Sequence, residues 1–290
     1  MSTLQQKVVR TTEHALHTGA LKSIDTQIEV IAENGIPFLL RTLANLKRKD
    51  NAAKRLKQAG ETTHNPFLPY EQDLYVDELG EQHVCLLNKF NVVDHHLLIV
   101  TRAFESQENL INQNDFYALA LCMQEIDGLA FFNGGTQAGA SQPHKHLQLI
   151  PLPMTPFQPL PFSDALATLP TDQIGCADAL HFNHAGIQLP EGIFDHPKQA
   201  AKHLTDTYLK LRKALELQDD GVLSTSAYNL LITRQWMLMV PRTAESAAGA
   251  SFNALAFCGA ILAKTPEQAN NLKQHGLMQA LQILTTSPSA

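Results

Sequence analysis

Two imidazoles and an amide alternate in one short run, His144-Lys145-His146-Leu147-Gln148. Side chains of a β-strand repeat with period two, so this spacing sends His144, His146 and Gln148 to one face and Lys145, Leu147 and Leu149 to the other. A neutral imidazole on such a face can attack phosphorus and form a covalent phosphoramidate, splitting a transfer between two acceptors into two in-line steps. The attacking nitrogen needs a free lone pair, so the other ring nitrogen has to be protonated and held, often by a backbone carbonyl. A second histidine can support the geometry. An amide at i+2 can donate to a non-bridging phosphate oxygen without itself titrating. The preceding loop, Asn133-Gly134-Gly135-Thr136-Gln137-Ala138-Gly139-Ala140-Ser141-Gln142-Pro143, offers backbone N–H groups and a hydroxyl for the remaining oxygens.

The same residues allow two other readings. As a metal site, His144 and His146 would need further ligands such as Asp94 or His95, and Gln148 is a poor zinc ligand. As a structural pair, the histidines would be satisfied core residues. The polar glycine loop in front of them weighs against that, although the spacing alone does not.

The elements that must position this motif follow from pattern. Residues 4 to 33 read as helix, with Leu16, Leu21, Ile24 and Ile28 spaced for one face. Strands are expected at 36–41, 73–79, 83–87 and 96–101, then a helix from Asn114 to about Phe131 and the motif strand. Residues 151 to 170 are proline-rich and read as a linker or surface excursion. A helix at 197–217 precedes strands at 228–233 and 236–240, and helices starting at Ser251 and Pro266 close the chain. The stretch 46–60 is strongly basic, with Lys47, Arg48, Lys49, Lys54, Arg55 and Lys57. It reads as a solvated segment or, alternatively, as a clamp for polyphosphate. A weak echo links Leu98–Glu105 with Leu238–Glu245, each followed by Ala-Leu-Ala and a cysteine.

These patterns predict an α+β protein whose antiparallel sheet carries the motif strand, with helices packed on one side. The echo suggests two pseudo-repeated halves forming one unit. Residues 1–190 would hold the catalytic motif, 215–290 would complete the same fold, and 151–196 would be the proline-rich connection.

Bulk properties narrow the function classes. A length of 290 residues allows one large or two modest domains. A net charge of −6 argues against broad nucleic-acid binding but leaves room for a local basic pocket. Cys85, Cys122, Cys176 and Cys258 form no C-x-x-C pair, which disfavours a cysteine zinc site and suggests thiols in a reducing compartment. No apolar run at the first residues or elsewhere suggests a signal peptide or membrane span, so a cytoplasmic protein is expected.

The run Asn133-Gly-Gly to His144-Lys-His-Leu-Gln148 resembles the signature of the ATP adenylyltransferases, or diadenosine tetraphosphate phosphorylases. That family lies in the histidine-triad-like superfamily, beside the galactose-1-phosphate uridylyltransferases. Ile36-Pro-Phe-Leu-Leu-Arg41, Asn65-Pro-Phe67, Leu87-Asn-Lys-Phe-Asn91 and His96-Leu-Leu-Ile-Val-Thr-Arg102 extend the resemblance, as do Tyr228 to Arg242 and Phe252-Asn-Ala-Leu-Ala-Phe257, so it spans nearly the whole chain.

The resemblance implies reversible phosphorolysis of diadenosine tetraphosphate to ATP and ADP. It implies that His146 becomes adenylylated while His144 and Gln148 orient and stabilise. Asn133, Gly139, Ala140, Ser141 and Gln142 would hold phosphates. Asn88 and Lys89 would lie near the nucleoside, with Asn229 and Arg234 contributing from the C-terminal part and Lys49 reaching the polyphosphate. Lys145 replaces the proline common between the histidines of uridylyltransferases, and cysteine metal ligands are missing. Both departures favour adenylyl transfer. A divalent cation, magnesium bridging the substrate phosphates, is expected without a dedicated protein ligand set. The expected partners are nucleotides and inorganic phosphate, not nucleic acid or membrane. A dinucleoside polyphosphate hydrolase, transfer to sulfate or ADP, and a nucleotide-binding sensor are the alternatives.

Overall fold

Strands with no exposed residue dominate the middle of the chain, as expected where a sheet is covered on both faces. In the computed structural model, residues 2–44 and 65–285 are described. The elements begin with α1 (Leu4–Thr18), β1 (Thr26–Glu33), β2 (Ile36–Leu43), β3 (Tyr75–Leu79), β4 (His83–Leu87), β5 (Leu97–Thr101) and α2 (Gln113–Glu125). They continue through β6 (Gly128–Gly134), β7 (His146–Pro151), α3 (Ser163–Leu166), β8 (Ala185–Gln188) and α4 (Pro197–Ala214). After the short strands β9 (Asp219–Asp220) and β10 (Leu223–Ser224) come β11 (Tyr228–Ile232), β12 (Trp236–Pro241), β13 (Ser246–Ala247) and β14 (Ala250–Ser251). The chain ends with β15 (Ala260–Ala263), α5 (Pro266–His275) and α6 (Leu277–Ile283).

The main sheet has eight strands in the order β3-β4-β5-β7-β6-β11-β12-β8, every neighbouring pair antiparallel. One face carries Cys85, Leu87, Ile99, Phe132, Leu147 and Leu149 against Val8 of α1, Phe116 and Leu119 of α2, and Leu204 and Tyr208 of α4. The other face is divided. Leu129, Phe131, Ile150, Leu231, Leu238 and Val240 pack under β2, α5 and α6. Val84, Leu86, Leu98 and Val100 form a separate cluster with Phe67. By register, His146 and Gln148 lie between these clusters, opposite Val100 and Leu98. Each buried Leu or Phe contributes about 2 kcal/mol through the hydrophobic effect, so the strand is fixed by its neighbours rather than by its polar residues.

The α+β class and the antiparallel sheet agree with the sequence-based expectation, but several elements differ. The first helix stops at Gly19 rather than near residue 33. Gly19 adopts a left-handed conformation (φ 75°) and its N–H donates to Leu16 O, closing the helix. Residues 26–43 instead form a hairpin through Asn34-Gly35, both at positive φ (52° and 82°), which suits a two-residue turn. The helix expected to reach Phe131 ends at Glu125, and Gly128–Gly134 is a central strand. Glycine at 128 is required there, because a Cβ would stand 2.7 Å from Ile150 O. No long helix starts at Ser251; a five-residue 3-10 turn, Ala254–Cys258, leads into β15, which pairs in parallel with β2. The stretch 151–196 supplies α3 and β8, the latter at the sheet edge.

The echoing segments fall on β5 and β12, yet Ala118–Ala120 lies in α2 and Ala254–Ala256 in the 3-10 turn. Cys85, Cys122 and Cys258 are buried, whereas Cys176 is exposed. The basic stretch 46–60, including Lys49, lies outside the described residues. No helix among the described residues is long and apolar enough to cross a membrane.

Candidate active site

His146 opens β7 and is held from three directions. Its ring Nδ1 is 2.8 Å from His144 O, a carbonyl that can only accept, so Nδ1 carries the proton and Nε2 the lone pair. Nε2 makes no hydrogen bond among the described residues. Burial pushes the His146 pKa down to about 4, so the ring is neutral at pH 7. Phe67 lies against it at 5.3 Å between ring centroids.

Two primary amides flank this ring, and the structure fixes which end of each faces inward. Asn133 lies near the end of β6 on the same sheet face, since Phe131 pairs with Gln148 and Asn133 lies two residues on. Its Oδ1 accepts from Asn229 Nδ2 and from Ala254 N, both at 2.9 Å. The NH2 end of Asn133 is therefore the one left without a partner among the described residues. Gln148 Oε1 is 2.9 Å from His96 Nε2, so its NH2 end is likewise left over. Two amide donors beside one imidazole lone pair suit a phosphoryl group that is attacked at phosphorus and stabilised at its oxygens.

The rest of the motif is committed to support. His144 is fully buried; Nε2 donates to Thr101 O at 2.8 Å and Nδ1 accepts from Asn65 Nδ2 at 2.9 Å. Burial lowers its pKa, and neither ring nitrogen remains for a substrate. His144 thus serves His146 through its carbonyl rather than through its ring. On the opposite face Lys145 is fully buried, with Nζ 2.6 Å from Asp115 Oδ2, 3.2 Å from Glu105 Oε2 and 2.8 Å from Leu110 O. Asp115 also takes His83 Nε2 at 2.8 Å and the Asn112 N–H at 2.8 Å. Burial raises the Asp115 pKa, but these donors outweigh it and the net shift is downward.

Several expected residues take other places. Ala138, Gly139 and Ala140 spend their N–H groups on Gly135 O, Thr136 O and Gly135 O, because the loop closes on itself as a short 3-10 turn. Gly139 and Ala140 therefore offer no amide to a phosphate in this conformation. Gly139 matters sterically instead: its φ is 85°, and a Cβ would stand 2.5 Å from Phe252 O. Ser141 is exposed and makes no hydrogen bond among the described residues, while Gln142 is partly buried and has an interaction of its own.

Asn229 is fully buried with both ends used, donating to Asn133 Oδ1 and Ala138 O and accepting from Arg242 Nη1 at 2.6 Å. In this arrangement Asn229 braces Asn133. Arg234 sits at the other end of the sheet, roughly 15 Å from Asn229 along the strand direction. There it donates to Met123 O and Gln124 O at the C-terminus of α2, which neutralises that helix end. Asn88 supports His96 (Nδ2 to Nδ1, 3.2 Å), and Lys89 pairs with Glu71.

Pattern reading missed three supporting residues. His96 was legible only as the start of a strand. Gln107 lies in a loop without periodicity, yet its amide occupies the fork where β6 and β7 separate. Its Oε1 accepts from His146 N at 2.8 Å, and its Nε2 donates to Asn133 O at 3.0 Å and His146 O at 3.3 Å. Arg242 entered only as the end of a segment that carries the resemblance; it is buried, its pKa is lowered to about 10 by that burial, and it bonds Asn229 Oδ1 and the carbonyls of Ala244 and Phe252. As for the metal reading, His95 is turned to Thr12 of α1 (2.9 Å). No group of three or more His, Cys, Asp or Glu side chains among the described residues is placed to hold an ion.

Residues 1–168 match the Ap4A phosphorylase N-terminal domain and residues 178–287 the ATP adenylyltransferase C-terminal domain. The chain is 30% identical over 245 residues to diadenosine 5',5'''-P1,P4-tetraphosphate phosphorylase 2 of Saccharomyces cerevisiae, covering 75% of this chain and 74% of that one. Protein APA1 of the same yeast is 27% identical over 274 residues, covering 87% and 84%. The crystal structure of yeast Ap4A phosphorylase Apa2 in complex with Ap4A superposes with a TM-score of 0.81 at 25% identity, covering 100% of this chain and 99% of that one. With both of its parts matched and the fold shared end to end, the chain belongs to the Ap4A phosphorylase and ATP adenylyltransferase family.

Proposed function

We propose that this protein is a nucleotidyltransferase that cleaves diadenosine tetraphosphate with inorganic phosphate, giving ATP and ADP, and that it runs reversibly. The observation that carries the reading is the His146 ring, tethered through Nδ1–H and flanked by the NH2 ends of Asn133 and Gln148, which have no partner among the described residues. Nε2 attacks the phosphorus bonded to one adenosine. A P–N bond forms, the P–O bond to the rest of the molecule breaks, and ATP leaves with that electron pair. The adenylylated ring is cationic and keeps its Nδ1 proton, which His144 O stabilises. A phosphate oxygen then attacks the same phosphorus, the P–N bond breaks, ADP forms and the ring returns to its neutral state.

The homologous yeast enzyme crystallised with Ap4A supports nucleotide binding by this fold. Asn133, expected to hold phosphate, and Gln148, expected to stabilise, are the donors we place against the phosphoryl group. Ser141, Gln142 and Lys89 remain part of the proposal as further substrate contacts. Magnesium enters the proposal with the polyphosphate, as a substrate complex whose phosphate oxygens supply its ligands. The test is intact-mass analysis after brief mixing with diadenosine tetraphosphate in the absence of phosphate. The expected result is a mass gain of one adenylyl group, mapped to His146 and lost in His146→Ala. Full turnover by that variant would remove the mechanism. Adding phosphate, sulfate or neither identifies the acceptor, and ADP formed only with phosphate is the expected result.

A further inference from the structure

We propose that His96 is a positioning residue for this transfer, locking the Gln148 amide so that its NH2 group, not its carbonyl, meets the phosphoryl oxygens. The inference rests on the transfer reaction proposed above and assigns a role to a histidine outside the His-x-His-x-Gln motif.

An unheld glutamine amide has two nearly isosteric orientations related by a flip of its last torsion. One presents a donor to a phosphate oxygen and the other presents a carbonyl, which repels it. Discrimination between them has to come from a neighbour whose own donor and acceptor pattern is fixed. A neutral imidazole alone does not supply that, because its two tautomers exchange donor and acceptor.

The structure removes the ambiguity one link at a time. The Phe90 backbone N–H donates to Asn88 Oδ1 at 3.2 Å, and a backbone N–H can only donate. Asn88 therefore turns Nδ2 toward His96 Nδ1, at 3.2 Å. His96 Nδ1 must accept, so the proton of the neutral ring sits on Nε2. Nε2–H then donates to Gln148 Oε1 at 2.9 Å, which leaves Gln148 Nε2 as the end without a partner among the described residues. The ring is held in place by the backbone pair Asn88 N to His96 O (2.8 Å) and by Phe131, 5.8 Å away between centroids. Burial, together with the nearby His146, keeps His96 neutral, with a pKa of about 4; the Gln148 bond opposes this shift only in part. A charged His96 would place a second donor against the Asn88 NH2 and break the relay. Asn133 is fixed by a separate relay through Asn229 and Arg242, so the two donors beside His146 are set independently.

A residue acting through Gln148 should matter only while Gln148 is present. The experiment compares His96→Ala, His96→Gln, Gln148→Leu and the double variant His96→Ala/Gln148→Leu as full-length proteins. It reads the single-turnover rate of His146 adenylylation by diadenosine tetraphosphate. Gln148→Leu is expected to slow the step about 100-fold, as loss of one oxyanion donor does. His96→Ala should slow it about tenfold or more, short of full donor loss, with AMP binding changed by less than about threefold. The double variant should be no slower than Gln148→Leu. His96→Gln, whose amide nitrogen can reach the place of Nε2, should recover most of the rate. Equal slowing by His96→Ala in both backgrounds, or no recovery in His96→Gln, would overturn the proposal.

Nitrogen-15 spectra of the unaltered protein test the same relay without turnover or substitution. The proton of His96 is expected on Nε2, and finding it on Nδ1 would also overturn the proposal. A wild-type protein that forms no adenylyl-histidine would instead sink the functional reading, while the His96 tautomer would still be read.

Discussion

His146 is neutral at physiological pH because burial, rather than a charged partner, sets its protonation. An ordinary imidazole would lose half its nucleophile near pH 6.5, whereas a pKa near 4 keeps the lone pair available well below that. Single-turnover adenylylation is therefore expected to hold its rate from pH 8 to about pH 5 and to fall only on approaching pH 4. A rate that halves near pH 6.5 would show the ring to be more solvated than it is here. Lys145 poses the opposite problem, a buried cation balanced by Asp115 and Glu105. Lys145→Met should cost about 3 kcal/mol or more in urea unfolding, since it leaves the buried Asp115 carboxylate short of a cation. The alternation of the motif was legible at this scale, including the side each residue faces. That the His144 ring is fully spent on Thr101 and Asn65 was not, because both partners come from distant positions in the chain.

Elements decide how these residues meet. The ladder between β6 and β7 ends at Phe131 and Gln148, and beyond it Gln107 fills the fork. The opening is held by hydrogen bonds, so the spacing between Asn133 and His146 depends on a loop residue. Gln107→Leu keeps the size but leaves the main-chain groups of His146 and Asn133 O without that partner. It should lower the adenylylation rate by about tenfold or more and destabilise the protein by about 1–3 kcal/mol, read by single-turnover kinetics and urea melts. Across the cleft the turn at Gly139 rests directly on the segment that orients Asn133 through Ala254 N–H. Gly139→Ala combines a left-handed φ with a close approach to Phe252 O, so a loss of about 2 kcal/mol is expected, with reduced turnover. Glycine and polar composition marked this loop from the sequence. They could not show that its amides close an internal turn, because composition does not say where a hydrogen bond goes.

At the scale of the whole molecule, residues on both sides of the proline-rich stretch share one sheet. β11 and β12 lie between β6 and β8, and β15 returns to pair with β2. Severing the chain near residue 215 would expose the β6 edge and the apolar face of Phe131 and Leu231, so the fragments are expected to be insoluble alone and to recover only together. Soluble, folded fragments by circular dichroism would count against that unity. Acid should weaken the whole fold for a related reason. Burial depresses the folded-state pKa of His96, His144, His146 and His184 below the unfolded value, so the unfolded chain binds more protons in that window. The stability tied to their neutral forms is fully present above about pH 6.5 and is lost as pH falls through their depressed folded-state values, visible as a falling urea midpoint.

The sequence by itself determined the chemistry on offer. Period-two alternation put His146 and Gln148 on one face and Lys145 on the other, and the strands at 83–87, 97–101, 228–232 and 236–241 follow from local apolar runs. It did not resolve β6, whose apolar residues continue those of α2 without a change of character, and it carried no sign that a strand length separates Asn229 from Arg234. Only the tertiary structure decided which amide ends face the nucleophile, because that depends on Asn88, His96, Asn229 and Arg242. Those hydrogen bonds join positions up to about a hundred residues apart in sequence, and local pattern carries no record of such pairings.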